Sequence, residues 1–201
     1  MTKQDRATVT RAALVEAAAA EFARDGYAGV SLGRVSHAAG LSNGALTFHF
    51  RSKADLADAV VDSALAAVRA SVSDALSAAP TPLARLSEVV TGMTRTLHAN
   101  TAVRAAARLE LDHSAGLRRW SSAWHPQVRQ LAEEASRAGE LPAGTRPEDV
   151  SALAVLFIRA VALHTRAHPA PPDDLRDQQG AHVSLAQYLR LWAMACRGLT
   201  P

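Results

Sequence analysis

The sequence predicts an all-α protein with a small three-helix helix-turn-helix domain at its N-terminus and a larger helical bundle after it. Three observations lead to this fold class. Apolar residues recur at helical spacing along most of the 201 residues, no stretch alternates long enough to predict a strand, and turn residues separate the helical segments. We place the domain boundary after residue 53, with residues 1–53 as the helix-turn-helix domain and 54–201 as the helical body.

Composition favours a globular protein without a membrane segment. With 48% hydrophobic residues the chain has ample material for a core, yet it has no run of 18 or more apolar residues. Residues 1–11 are polar and contain no apolar signal segment, so we expect a cytoplasmic location. The lone cysteine, Cys196, excludes an internal disulfide and is predicted to be a small core residue.

The first predicted helix runs from about Thr8 to Arg24. Leu14, Ala18 and Phe22 fall on one face of it, and the Asp25–Gly26 pair ends it.

The stretch from Ser31 to Lys53 predicts two short helices around a tight turn. Ser31 is placed to cap the first helix, Gly40 to end it in the left-handed conformation, and Ser42 to cap the second. This is the geometry of a recognition helix that enters the major groove by its N-terminal end. An ordinary surface helical hairpin is the alternative that the turn alone leaves open.

A long helix capped by Ser52 is predicted to continue to about Ala78, before Pro80 and Pro82. Breaks at turn residues then divide the rest of the chain into five further helices. Their predicted ranges are Pro82–Ala99, Ala102–Leu111, Ala115–Gly139, Pro147–His168 and Ala181–Gly198.

The excess positive charge lies entirely in the N-terminal quarter. Residues 1–53 hold seven Lys/Arg and four Asp/Glu, whereas the remaining residues hold 15 of each sign. Cations near phosphates are what a DNA-binding module needs, although a solvated basic face fits the charges equally well.

The run GALTFHFRSKADLADAV, preceded by SLGRVSHAAG and by AAAAEFARDGYAGVSL, resembles the DNA-binding domain of the TetR family of one-component repressors. One position departs from that family's signature, because Thr47 stands where a tyrosine is usual. The form GAL-x-FHF-x-SK is most similar to the γ-butyrolactone-receptor branch, whose members sense small lactones, butenolides or furans. The residues that fit the signature are Gly44, Leu46, His49, Phe50, Ser52, Lys53 and Leu56.

The resemblance implies a double-stranded DNA operator as one partner. Lys53 is expected to contact phosphate and Asn43 to influence sequence preference. With Thr47 lacking the aromatic reach of tyrosine, more of the anchoring is expected from Lys53, His49 and the N–H groups after Ser42. The full predicted DNA-binding set is Arg34, Ser42, Asn43, Gly44, Ala45, Thr47, Phe48, His49 and Lys53.

A small hydrophobic effector is the second implied partner. Trp120 and Trp124 are predicted to share a helix face beside Pro126, and an indole combines apolar area with one N–H donor. In the branch that the chain resembles, a tryptophan seven residues before a leucine contacts ligand, and Trp124 matches that spacing. Ile158 departs, since a threonine is expected there. The predicted ligand residues are Trp124, Trp120, Val90, Met93, Phe157, Ile158, Val161 and His164.

The last two helices are apolar over more than one face, which predicts a homodimer seam that includes Leu185, Tyr188, Leu189 and Trp192. No catalytic, cofactor or metal set is found: the histidines lack metal-ligand spacing, and no nucleophile elbow or phosphate loop occurs.

Together these patterns indicate a dimeric repressor that a small hydrophobic effector releases from a pseudo-palindromic operator. The alternatives are a pseudo-receptor whose pocket is filled by side chains, and a small all-α enzyme or interaction module.

Overall fold

The computed structural model describes residues 3–112, 119–167 and 183–199, which form helices joined by short turns. The predicted all-α fold is confirmed, since no strand occurs in these ranges. The helices are α1 (Lys3–Asp25), α2 (Leu32–Ala38), α3 (Asn43–His49), α4 (Lys53–Ala78), α5 (Pro82–Ala99), α6 (Thr101–Leu111), α7 (His125–Arg137), α8 (Pro147–Ala167) and α9 (Leu185–Arg197), with a 3-10 turn at Trp120–Ala123. None of the helices in the described ranges has the length and apolar character needed to cross a membrane.

The first of two compact units contains Met1–Ala66 and Asn100–Trp120. It therefore comprises α1, α2, α3, the first half of α4, and α6. In it α1 packs extensively on α6 and also contacts α2 and α3. Its core is built from buried side chains that include Leu14, Phe22, Val35, Leu46, Leu56 and Val103.

The second unit contains Ala67–Ala99 and Ser121–Pro201. Its centre is α5, which packs against α7, α8 and α9. The largest buried side chains of this unit include Leu86, Met93, Leu97, Trp124, Ile158 and Trp192. The predicted boundary after residue 53 concerns a division of function and stays a prediction.

Local signals in the sequence place most helix ends correctly. Ser31 and Ser42 cap α2 and α3 as predicted, each through a side-chain oxygen that accepts from a backbone N–H. Gly40 has a φ of 65°, the left-handed value predicted for it. Ser52 accepts a hydrogen bond from the Asp55 N–H at 3.0 Å, which confirms it as the cap of α4.

Other predicted boundaries are wrong. α1 begins at Lys3 rather than near Thr8. The single helix predicted for Ala115–Gly139 is interrupted, because Pro126 has no N–H and its ring clashes with a preceding helical carbonyl, so α7 starts only at His125. Ser184 caps α9, which begins at Leu185. Residues 115–118, 168 and 181–182 of the predicted ranges lie outside the described residues.

Candidate nucleic-acid interface and ligand sites

The first turn of α3 is anchored to the protein on one side and exposed to solvent on the other. Ser42 Oγ accepts a hydrogen bond from the Ala45 N–H at 3.1 Å, and buried Leu46 anchors the helix in the core. Asn43 and Gly44 are exposed on the same turn. The helix therefore presents its N-terminal end to solvent, as a major-groove reader must.

Thr47 and Phe48 extend this exposed face toward the end of α3. The Thr47 hydroxyl donates to the Gly44 carbonyl at 3.2 Å and stays accessible. The Phe48 side chain is 81% exposed. Its ring and the neighbouring His49 ring are nearly perpendicular, with centroids 5.1 Å apart. A phenylalanine this exposed contributes little to the core, whereas apolar contact with a thymine methyl is a known use of the residue in DNA readers.

Arg34 is paired with groups of α1 and of the loop after it, although its side chain is 43% exposed. Its guanidinium donates to the Gly29 carbonyl at 2.7 Å and forms ion pairs with the carboxylates of Glu21 and Asp25. The hydrogen bond from Arg34 lowers the pKa of the Asp25 carboxyl, and the same contact raises the pKa of Arg34. Arg34 therefore joins α2 to the last turn of α1, and it shares the Glu21 and Asp25 carboxylates with Arg24.

The Asn43 side chain joins the two helices of the turn. Its amide oxygen lies within hydrogen-bond distance of the Ser36 hydroxyl, which also lies 3.0 Å from the Gly33 carbonyl. Because Ser36 is buried on α2, the contact fixes the start of α3 against α2.

Lys53 is also occupied. Its ammonium donates to the Tyr27 and Val30 carbonyls, each at 2.9 Å, and lies 4.4 Å from the centre of the Tyr27 ring. It thereby ties the start of α4 to the loop between α1 and α2. The predicted phosphate contact of Lys53 stays a prediction, and any such contact has to share this ammonium with two carbonyls.

Arg51 does not belong to the predicted set. It is exposed in the short turn between α3 and α4. The signal that identifies it is a basic residue placed directly after the recognition helix, where phosphate contacts position a reader on DNA.

The predicted ligand residues occupy three different settings. Trp124, Val90, Met93, Ile158 and Val161 are fully buried in the second unit. Phe157 and His164 come together around Tyr188, with ring centroids 6.0 and 5.7 Å from it. Trp120 belongs to the first unit and lies in the 3-10 turn, so the prediction that it shares a helix face with Trp124 is wrong.

A cavity of about 550 Å³ lies in the second unit between α7 and α8. Its lining includes the apolar side chains of Ala152, Val155 and Leu156 together with charged side chains. The volume falls within the range of small-molecule sites. None of the predicted ligand residues lines it; the lining consists of His125, Arg129, Glu133, Pro147, Glu148, Ser151, Ala152, Val155 and Leu156.

The predicted dimer seam needs correction. Tyr188 and Trp192 are buried within the second unit, where the Trp192 Nε1–H donates to Ser87 Oγ at 3.1 Å. They face inward because Phe157 of α8 packs 5.3 Å from the Trp192 ring. Among the described residues of the last two helices, the large apolar side chains that are exposed are instead Leu153, Leu156, Leu163, Leu191 and Met194. Half-buried Cys196 lies 3.6 Å from Ser87 Oγ, and burial raises the pKa of its thiol.

Residues 14–60 match the tetR family of bacterial regulatory proteins. Over 60 residues the chain is 38% identical to the HTH-type transcriptional regulator TtgR of Pseudomonas putida, and equally to the probable HTH-type transcriptional regulator ArpR of the same species. This match covers 30% of the chain and 29% of each relative. The sequence likeness to these curated relatives is therefore confined to less than a third of their length.

Solved structures are similar over nearly the whole chain. A gamma-butyrolactone receptor (ArpA like protein) shares 27% identity and a TM-score of 0.76, over 98% of this chain and 90% of that one. The TetR family protein CprB from S. coelicolor A3(2) shares 26% identity and a TM-score of 0.70, over 96% and 90%. AibR, solved with isovaleryl coenzyme A and operator DNA, shares 15% identity and a TM-score of 0.71 over 92% and 97%, a likeness of fold alone.

Proposed function

Because this chain belongs to the TetR family of bacterial regulatory proteins and is of the γ-butyrolactone-receptor type, we propose that it is a homodimeric repressor. In this proposal it binds a pseudo-palindromic operator and leaves it on binding a small hydrophobic effector such as a γ-butyrolactone, butenolide or furan. The likeness to solved TetR-family regulators supports a ligand-responsive DNA-binding regulator that is not an enzyme. The cytoplasmic location stays a prediction.

The observation behind the DNA-binding part is the exposed face of α3. Gly44, Thr47 and Phe48 are exposed along it, while Leu46 holds it in the core. We assign base contacts to Thr47 and Phe48 and close backbone approach to Gly44. Arg51 and His49 supply phosphate contacts in this proposal.

Dimerisation supplies the second head that a pseudo-palindromic operator requires. The exposed leucines Leu153, Leu156 and Leu163 on α8, with Leu191 and Met194 on α9, support a seam between two copies. Burial of such apolar side chains is the main driving force of association.

Two locations compete for the effector. One is the interior around Trp124, where the resemblance to γ-butyrolactone receptors points. The other is the cavity between α7 and α8, which is open in the single chain and shares Leu156 with the proposed seam. Release requires that the effector bind more tightly to the conformation whose heads do not fit the operator, with a coupling typically of about 1–3 kcal/mol.

Selection of bound duplexes from a random DNA pool tests the DNA-binding part. We expect an enriched pseudo-palindrome whose affinity falls steeply with salt. Gly44→Ala should weaken binding to that duplex, because the added Cβ would obstruct the close backbone approach assigned to Gly44. The fold should tolerate the change, since this Cβ meets only Ser42 Oγ, at 3.8 Å. Gly33→Ala is the matched control, because nothing lies within 4 Å of a Cβ there. Equal binding by both variants and the wild type would contradict the assigned role of α3.

Thermal shift with added γ-butyrolactones, butenolides and furans tests the sensor part. Trp124→Phe should reduce the shift if the interior is the site, whereas Val155→Trp should abolish it if the effector occupies the α7–α8 cavity. The full burial of Trp124, Val90, Met93, Ile158 and Val161 also fits a pseudo-receptor with a filled pocket. Tight operator binding without a shift from any compound would establish that alternative.

A further inference from the structure

Helix α6 occupies an unusual place in the chain. It belongs to the first unit, where it packs extensively on α1. The segments that precede and follow it, Ala67–Ala99 and Ser121–Pro201, belong to the second unit. In sequence, α6 therefore lies between the two segments that form the second unit.

Arg108 joins α6 to the end of α1. Its Nη1 donates to the Arg24 carbonyl at 3.1 Å, and its Nε donates to Asp112 Oδ2, also at 3.1 Å. The carbonyl of Arg24 lies in the last turn of α1, where helix carbonyls have no partner within the helix. A guanidinium there also meets the negative end of the helix dipole. The Arg108 side chain is only 13% exposed, so this contact is largely shielded from water.

Gly26, the residue directly after α1, leaves the space that this contact occupies. Its φ is 69°, and a Cβ built on it would overlap the Asp112 carboxylate and lie 3.2 Å from Arg108 Nε. Three other glycines with positive φ, namely Gly40, Gly139 and Gly144, have no atom within 4 Å of such a Cβ. Gly26 therefore serves two purposes, the left-handed turn and the close approach of the Arg108–Asp112 pair.

The same turn of α1 also receives Arg34 of α2 through the carboxylates of Glu21 and Asp25. The end of α1 is thus bound by two guanidinium groups from other helices, that of Arg108 on α6 and that of Arg34 on α2. We propose that Arg108, Asp112 and Gly26 form a latch that couples the position of α6 to that of the helix-turn-helix, with Arg108 as a positioning residue.

The latch rests on the proposed function only in its consequence for regulation. A displacement of α6 that breaks the bond from Arg108 to Arg24 frees the end of α1, against which Arg34 holds α2. Because coupling between two sites is reciprocal, operator binding at α3 should in turn stabilise α6.

Hydrogen exchange in the full-length protein tests the latch, first without DNA. Arg108→Met keeps the length of the side chain and removes its donors. We expect the amides of residues 22–30 to exchange about fivefold faster in Arg108→Met and in Gly26→Ala. Gly139→Ala repeats the change at a positive φ without the contact, and Arg146→Met removes an exposed ion pair elsewhere, with Asp149. Both controls should exchange like the wild type in residues 22–30, and unchanged exchange in Arg108→Met overturns the latch.

The second arm adds the duplex selected by the wild type. Operator binding should slow exchange in residues 104–112 of the wild type and of both controls, but not of Arg108→Met. If residues 104–112 of Arg108→Met are slowed as in the wild type, the latch holds α1 without coupling α6 to DNA, and the proposal fails.

A third arm adds an effector found by thermal shift. The ratio of operator affinities without and with effector should fall toward one in Arg108→Met and stay at the wild-type value in Gly139→Ala. An unchanged ratio in Arg108→Met overturns the coupling. A wild type that binds no duplex or no effector refutes the proposed function instead, and the exchange of residues 22–30 then decides by itself whether the latch exists.

Discussion

The residues predicted to contact DNA fall into two groups that differ in the partners of their side chains. Arg34, Asn43 and Lys53 are engaged with partners inside the first unit. Gly44, Thr47 and Phe48 are exposed on one helix. The comparison indicates that polar side chains in a binding motif need not be the ones that bind, since they also set the angle between the helices that present the motif.

The difference has an energetic basis. Hydrogen bonds from a charged donor contribute about 1.5–3 kcal/mol each, and a donor that leaves its carbonyl for a phosphate gives up that contribution. An exposed side chain gives up only its hydration and some rotamer freedom. We therefore expect the first group to govern stability and the second to govern affinity and sequence preference.

Among the residues predicted to contact DNA, the largest effect is expected at Lys53. Lys53→Met should lower the free energy of unfolding in urea by about 2 kcal/mol, because the Tyr27 and Val30 carbonyls lose their donor. The salt dependence of operator binding should change little. Arg51→Met is the comparison, with wild-type stability and a salt slope reduced by about one. The assignment is reversed if Lys53→Met, and not Arg51→Met, flattens the salt dependence.

Phe48 should show the opposite behaviour. Phe48→Ala is expected to weaken operator binding about tenfold and to relax the preference at one base pair, since an apolar contact with a base is lost. Its melting temperature should equal that of the wild type, because the side chain is 81% exposed.

Phe50 provides the matched variant for that test. It is only 3% exposed, so Phe50→Ala should cost about 3–5 kcal/mol of stability. If Phe48→Ala is destabilised like Phe50→Ala, Phe48 is a packing residue and the exposed face of α3 has to be redefined.

How far the sequence predicts the molecule depends on the range of the interactions involved. The caps at Ser31, Ser42 and Ser52 and the turn at Gly40 depend on neighbours within a few residues, and their predictions are confirmed. The predicted bounds of α5 are also correct to the residue.

Long-range contacts set the features that local patterns miss. Lys53 bonds carbonyls 23 and 26 residues away, and Arg108 bonds one 84 residues away, separations that no periodicity reveals. The spacing of Trp120 and Trp124 favours a single helix, but the proline that follows them has the stronger effect on the backbone. The α7–α8 cavity depends on how two helices cross, which local patterns do not specify.

The smallest effect concerns pH and distinguishes Arg34 as a fastener from Arg34 as a DNA contact. The pKa of Asp25 is lowered from its ordinary 3.8 by its hydrogen bond with Arg34. A lowered carboxyl pKa adds stability that is fully present above pH 3.8 and is lost as the pH falls through the folded-state value. Asp25→Asn should therefore melt at a slightly lower temperature than the wild type at pH 7, and the difference between them should shrink as the pH falls below about 4. Asp149→Asn, which removes the pair with Arg146 at the start of α8, is the control and should leave exchange in residues 22–30 unchanged, whereas Asp25→Asn should speed it. Identical melting of Asp25→Asn and the wild type across this range would mean that Arg34 is available to DNA, and the division between the two groups would then hold only for Asn43 and Lys53.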